Sequence, residues 1–168
     1  MSRPAEEKLV ELLKENAFTV STAESCTGGL VSATIINVSG ASDVTCASIV
    51  TYSNDAKRKY LGVKRSTLES RGAVSKQCAK QMACGITKQT GADVGISTTG
   101  IAGPSGGTAE KPVGLVYIGC CVRGNTKVKK FIFEGDRTAI RQQAVEAALK
   151  LAKKCIRAFT ETKKNEQK

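Results

Sequence analysis

Residues 114–122, Gly-Leu-Val-Tyr-Ile-Gly-Cys-Cys-Val, carry no charge and no alternation of polar with apolar side chains. A strand with one wet face alternates, so an unbroken apolar run of this length belongs inside a sheet covered on both sides. A similar stretch, residues 94–99, comes before it. The connection between them, residues 100–114, holds five of the chain's sixteen glycines and two of its three prolines. Glycine admits positive φ and close backbone approach, while proline fixes φ and removes a donor. Such a loop keeps bare N–H groups in one arrangement, which is how a backbone cradle for an anion or an oxyanion is made.

The rest of the chain supplies covering layers. Residues 4–15 read as a helix with Leu9, Leu12 and Leu13 on one side, and residues 18–23 as a short strand. The strand ends in the polar turn Glu24-Ser25-Cys26-Thr27-Gly28-Gly29, after which residues 30–36 resume helical spacing. Strand, tight turn and helix start together present N–H groups to an anion. Residues 46–52 favour a strand, and Asn54 or Asp55 can cap a short helix through Lys57 and Tyr60. From Ser75 a longer helix places Cys78, Met82 and Ile86 on one stripe and stops at Gly91. Val128, Phe131 and Phe133 form a strand reached by a turn at residues 123–126. The last helix starts after Gly135-Asp136 and aligns Ile140, Ala144, Ala148, Leu151, Cys155 and Phe159. This alternation predicts one layered α/β domain over residues 1–160, followed by a frayed polar tail at 161–168.

Composition narrows the chemistry. A chain of 168 residues is about one domain long. It has no apolar run of roughly 18 residues and no apolar signal core at its start, so a soluble, cytoplasmic protein is expected. Its seven cysteines stand singly or side by side with no C-x-x-C spacing, which reads as reduced and mostly buried thiols. Histidine is absent. That removes Ser-His-Asp and Cys-His catalysis and every His-containing zinc site, and leaves lysine, tyrosine or a carboxylate as the base of any hydrolysis. The formal net charge is +11, but seven aromatics and no Trp leave little to stack on bases. The charge therefore reads as solvated faces and as a field that attracts a phosphorylated small molecule, and nucleic acid is not an expected partner.

In open α/β sheets ligands bind where loops converge at strand ends. Four loops qualify, at residues 24–29, 39–43, 52–57 and 100–114. With histidine excluded, the constellation of interest is a serine near a lysine whose pKa burial or a neighbouring cation has lowered. Cys26 is a rival nucleophile, since a thiol at a helix start can be partly ionised without histidine.

Five strings carry a resemblance. They are Thr22-Ala23-Glu24-Ser25-Cys26-Thr27-Gly28-Gly29, Val50-Thr51-Tyr52-Ser53-Asn54-Asp55-Ala56-Lys57, Gly72-Ala73-Val74-Ser75, Gly100-Ile101-Ala102-Gly103-Pro104-Ser105-Gly106-Gly107 with Lys111-Pro112-Val113-Gly114, and Gly135-Asp136-Arg137. In this order and spacing the chain resembles the CinA carboxy-terminal domain family, from about Glu6 to Cys155. The resemblance implies a three-layer α/β/α sandwich with a mixed, mostly parallel sheet. It also implies a nicotinamide-nucleotide amidohydrolase that converts nicotinamide mononucleotide to nicotinic acid mononucleotide and ammonia, in pyridine nucleotide salvage. Carried over by position, Ser42 matches the nucleophile, Lys57 the base, Tyr52 an assisting hydroxyl and Arg137 a further active-site residue. The substrate and its phosphate are expected against Ser25, Thr27, Gly28 and Gly29 or against Gly100, Ile101, Ala102, Gly103 and Gly107. No metal or other cofactor is implied, and the expected partners are a small-molecule nucleotide and further copies of the chain. The alternative is a catalytically weak nucleotide-binding or regulatory protein that keeps the fold.

Overall fold

A computed structural model describes residues 3–166. The elements in chain order are α1 (Ala5–Glu15), β1 (Val20–Glu24), α2 (Leu30–Ile36), β2 (Thr45–Val50), α3 (Asn54–Leu61), α4 (Arg65–Arg71), α5 (Lys76–Thr90), β3 (Val94–Gly100), β4 (Leu115–Val122), β5 (Asn125–Ile132) and α6 (Arg137–Glu166), with a 3-10 turn at Ala41–Asp43. The strands form one sheet in the order β2-β1-β3-β4-β5. β1 pairs in parallel with β2 and β3, while β4 runs antiparallel to β3 and β5. Four of these five strands therefore point the same way and β4 alone reverses, giving the mixed, mostly parallel sheet of an α/β/α sandwich.

The two faces of the sheet are packed differently. α1, α2 and α6 cover one face, where Val20, Ile96, Val116 and Ile118 meet Ile140, Ala144, Ala148 and Ile156 in the larger hydrophobic core. α5 lies on the other face with α3 and α4 against it. There the strands offer small residues, and the helix backbone comes close. A Cβ added at Gly95 stands 2.3 Å from the Ala83 carbonyl oxygen, and one at Gly119 stands 2.7 Å from that of Ala79. Ser97 Oγ donates to the same Ala79 carbonyl at 2.7 Å. α3 is seated equally tightly on α5, because a Cβ at Gly85 falls 2.0 Å from the Leu61 carbonyl oxygen.

Strand direction gathers the loops. β1, β2 and β3 all end at one edge of the sheet, β4 begins there, and β5 ends there before α6 starts. Residues 25–29, 51–53 and 100–114 and the start of α6 thus share one rim, whereas residues 39–43 lie at the opposite rim.

Three local expectations differ from the structure. The cap of α3 is Ser53, whose Oγ accepts from Ala56 N–H at 3.1 Å, one residue before the expected Asn54 or Asp55. α4 is an additional helix in a segment whose exposed charges hide the two buried residues, Thr67 and Leu68, that seat it. Residues 161–166 of the expected polar tail are helical in the structure. α6 continues through Glu166, with Lys163 bonded to Glu166 at 3.2 Å and Thr162 Oγ1 donating to the Ala158 carbonyl. Lys and Glu are good helix formers and sustain the helix without apolar contact. Residues 167 and 168 of the expected tail lie outside the described residues.

Candidate active site

Lys57 is 1% exposed and is the bulkiest of the fully buried side chains. It sits in the first turns of α3, and the Thr51 carbonyl at the end of β2 accepts from its Nζ at 2.7 Å. Nζ also donates to Ser25 Oγ at 2.9 Å, just past the end of β1. Among the described residues no carboxylate forms an ion pair with it; the charges that act on it are those of the Cys78 and Cys26 thiols. Burial lowers the pKa of Lys57 from the ordinary lysine value, against a smaller upward pull from those thiols. An amine stripped of water and lacking a counter-charge is biased toward its neutral form, in which nitrogen can take a proton.

The hydroxyl beside this amine belongs to Ser25, and Ser42 is the expectation that the structure corrects. Ser42 is exposed in the 3-10 turn that leads into β2, next to Asp43, which pairs with Lys14 at 3.0 Å. Because β1 and β2 run in parallel, with Val20 opposite Thr45 and Glu24 opposite Val50, Ser42 and Lys57 are at opposite ends of β2. Six strand residues span roughly 20 Å. No side-chain rotation bridges that gap.

Around Lys57 and Ser25 a cavity of about 280 Å³ is lined by Tyr52, Gly100, Ile101, Ala102, Gly103 and Arg137 among others. Arg137, the first residue of α6, joins the walls. One terminal nitrogen donates to the Gly103 carbonyl at 2.8 Å, and the other donates to the Tyr52 hydroxyl at 3.0 Å. The glycine loop is anchored at both ends. Ile101 N–H donates to the Leu115 carbonyl at 2.9 Å, Gly114 N–H to the Ile101 carbonyl at 2.8 Å, and Lys111 Nζ to the Arg71 carbonyl at 2.6 Å. Gly103 and Gly106 take positive φ, and both face the cavity together with Ser105. Gly107 does not line it; a Cβ there meets Val113 N at 2.7 Å, so its place is a packing contact inside the loop.

The expected anion cradle at Thr27, Gly28 and Gly29 is already filled by the chain itself. The buried Glu24 carboxylate accepts from the N–H groups of Gly29, Val31 and Ser32 at 3.1, 3.0 and 2.9 Å and from the hydroxyls of Thr22 and Thr27. A carboxylate there satisfies the donors that open α2 and favours their positive end. Arg141, one turn after Arg137, closes the turn from outside by donating to the Cys26 and Thr27 carbonyls at 3.1 and 3.0 Å. Thr27, Gly28 and Gly29 thus shape the Ser25 turn and offer no free cradle.

Cys26 lines the same cavity, yet burial pushes its thiol up to about 11. It is a protonated thiol near neutrality and a poor nucleophile. The structure thus brings Ser25, Tyr52, Lys57, Gly100, Ile101, Ala102, Gly103 and Arg137 to one site and leaves out Ser42, Thr27, Gly28, Gly29 and Gly107. Glu24 and Arg141 are supporting residues that sequence reasoning missed. The signals available were an acidic residue placed just before a helix start and an arginine four positions after Arg137.

The family model described as CinA C-terminal domain matches residues 2–156. A CinA-like protein of Kosmotoga olearia is 54% identical over 151 residues, covering 90% of this chain and 37% of that protein. The chain spans about a third of the length of the curated relatives it matches. Among solved structures, the competence/damage inducible protein CihA of Agrobacterium tumefaciens is 43% identical with a TM-score of 0.83, over 90% of this chain and 96% of that one. A competence-damaged protein (CinA) superfamily protein of Klebsiella pneumoniae is 32% identical with a TM-score of 0.88, over 93% and 99%.

Proposed function

This chain belongs to the CinA C-terminal domain family, and from that premise we propose that it is an amidohydrolase that releases ammonia from the carboxamide of nicotinamide mononucleotide. The observation that carries the reading is the buried, counter-ion-free Lys57 amine 2.9 Å from Ser25 Oγ. An amide is a poor electrophile, so its hydrolysis needs a sharpened nucleophile and a stabilised oxyanion. Neutral Lys57 keeps one N–H on the Thr51 carbonyl and takes the Ser25 proton. Ser25 Oγ then attacks the carboxamide carbon, and the new oxyanion falls to backbone N–H groups beside it, that of Cys26 first. Lys57 returns the proton to departing ammonia, and water cleaves the acyl-serine by the same route in reverse. Ser25 replaces Ser42 as the nucleophile in this reading.

The phosphate of the substrate belongs against the glycine loop, since Glu24 occupies the other candidate cradle. Among the described residues the N–H groups of Gly103, Ser105 and Gly106 donate to no protein acceptor, and the Arg137 guanidinium stands beside them. Backbone donors with one fixed cation form a phosphate site of familiar chemistry.

The test is ammonia release from nicotinamide mononucleotide by the purified protein. Ser25→Ala and Lys57→Ala are expected to abolish it, while Ser42→Ala and Cys26→Ser keep most of it. Loss in Ser42→Ala with retention in Ser25→Ala overturns the assignment. Ligand binding without release in the wild type leaves the nucleotide-binding alternative in its place.

A further inference from the structure

α6 has one occupied flank and one open flank. α1 and α2 pack against it on one side, and its inner side lies on β3 and β4. β5, the edge strand beyond β4, is covered on one face by α5, where Cys84 Sγ is 2.9 Å from Thr126 Oγ1. Among the described residues no helix stands over its other face. Side chains alternate along a strand, so Lys127, Lys129 and Phe131 project to the α6 side. Phe133 follows them, its N–H extending the ladder to the Gly114 carbonyl at 2.9 Å.

Two cavities, of about 380 and 410 Å³, follow one another along the seam between this strand and α6. The floor is apolar. Phe131 and Phe133 lie half-buried beside Ala147, their ring centroids 5.2 Å apart and their planes 9° from parallel, and Phe159 continues the floor in the second cavity. The rims are cationic, with Lys129, Lys150 and Lys154 on one cavity and Lys127 and Lys163 on the other. The two carboxylates there, Glu146 and Glu166, already pair with Lys150 and Lys163 at 3.1 and 3.2 Å. Among the described residues Lys127, Lys129 and Lys154 have no ion-pair partner. The seam follows α6 from Gln143 to Glu166, roughly 35 Å at the rise of a helix.

We propose that the β5–α6 seam is a docking groove for an acidic amphipathic helix of a partner protein. The apolar stripe of that helix lies on Phe131, Phe133 and Phe159, and its carboxylates meet Lys127, Lys129 and Lys154. It takes the place in the outer layer that stands empty over β5, beside α6. Charge complementarity selects this occupant. An added strand would also extend the sheet, but Lys127, Lys129 and Lys130 are the kind of residue that blunts an edge against pairing. A second copy in a two-fold contact would set these lysines against themselves, in a chain whose net charge is already +11. Duplex nucleic acid would use the lysines and leave the phenylalanines wet.

The probe is a fluorescein-labelled peptide of about 18 residues, ~27 Å long as a helix, with Leu on one stripe and Glu and Ala elsewhere. It is titrated with the full chain by fluorescence anisotropy at about 150 mM salt, where loose surface attraction is screened. The expected Kd is about 100 μM or tighter, with a gain of helical circular dichroism in the bound peptide. A scrambled peptide of the same composition, lacking the stripe, is expected to bind about tenfold more weakly or worse. The double variant Lys129→Glu/Lys154→Glu, at two exposed positions, is expected to lose at least about tenfold in affinity. Phe131→Ala should lose as much; the scrambled peptide reads the same apolar contact on the wild type. The proposal is overturned by no binding, by equal binding of the scrambled peptide or of the double variant, or by a peptide bound without helix. It is also overturned by a wild-type dimer that the double variant breaks, or by a DNA duplex that displaces the labelled peptide as well as the unlabelled peptide does.

Discussion

Arg137 donates to the Tyr52 hydroxyl at 3.0 Å, across the mouth of the cavity that holds Lys57 and Ser25. The contact joins the end of β2 to the start of α6, and the second bond of Arg137, to the Gly103 carbonyl, ties the glycine loop to both. Replacing Arg137 with Ala unlocks the loop and removes the cation beside the proposed phosphate site. The expected loss in kcat/KM for amide hydrolysis is on the order of 10- to 100-fold, carried mainly by KM. Tyr52→Phe leaves the Gly103 bond intact and is expected to cost only severalfold. Steady-state kinetics of ammonia release check both.

Lys57 links activity to stability through pH. Burial lowers its pKa in the folded chain below the ordinary 10.5, so over the interval between those values the unfolded chain binds more proton than the folded one. Stability therefore rises with pH through that interval and is lost as pH falls across it, with a slope of up to about 1.4 kcal/mol per pH unit. In the proposed mechanism kcat/KM has the same sign, since that mechanism uses the base form of Lys57. Lys57→Met is expected to abolish activity, to unfold at equal or higher denaturant at neutral pH, and to lose this part of the pH slope. Urea titrations of both proteins across alkaline pH decide it. An unchanged slope in Lys57→Met assigns the pH dependence to other groups.

Glu24 holds the turn that presents Ser25. Its carboxylate takes three N–H groups at the start of α2 and two hydroxyls. Glu24→Ala leaves buried donors unpaired and is expected to cost about 2–4 kcal/mol of unfolding free energy, with activity falling alongside. Glu24→Gln keeps one acceptor oxygen and should lie between. Chemical denaturation monitored by circular dichroism measures the difference.

Gly85 sets how far α3 stands from α5. An added methyl group meets the Leu61 carbonyl oxygen at 2.0 Å, so Gly85→Ala must push α3, and Lys57 with it, outward. A stability loss of about 1–3 kcal/mol is expected together with a drop in kcat. Gly91→Ala is the control. It has open space but a positive φ, so it strains the end of α5 by about 1 kcal/mol and leaves kcat unchanged.

Periodicity made most elements legible, because burial of one face leaves a mark at fixed spacing along the chain. The uncharged run 114–122 became β4, an interior strand between β3 and β5, and the Cys78, Met82 and Ile86 stripe faces the core as expected. The identity of the hydroxyl beside Lys57 was not legible. In sequence Lys57 belongs to the basic run Lys57-Arg58-Lys59 and reads as solvated. Only the helix geometry turns Lys57 inward while Arg58 and Lys59 stay exposed. Ser25 and Ser42 look alike as turn serines, and the direction of β2 decides which of them shares a rim with Lys57. Glu24 was hidden for a related reason. An acidic residue before a helix can be a ligand-binding group or an internal cap, and the two differ only in where its carboxylate points.

The reversal of β4 has a consequence for how this site can diverge. A parallel β3–β4 pair would need a long crossover packed on the sheet, so any change in the connection would disturb a core. Here residues 100–114 close a hairpin, with both stems pinned by Ile101, Leu115 and Gly114 and the tip exposed. Changes at the exposed tip are therefore expected to leave the amine, the hydroxyl and both hydrophobic layers where they are. On the proposed reading, the loop that would contact the substrate is thus separable from the Lys57–Ser25 pair.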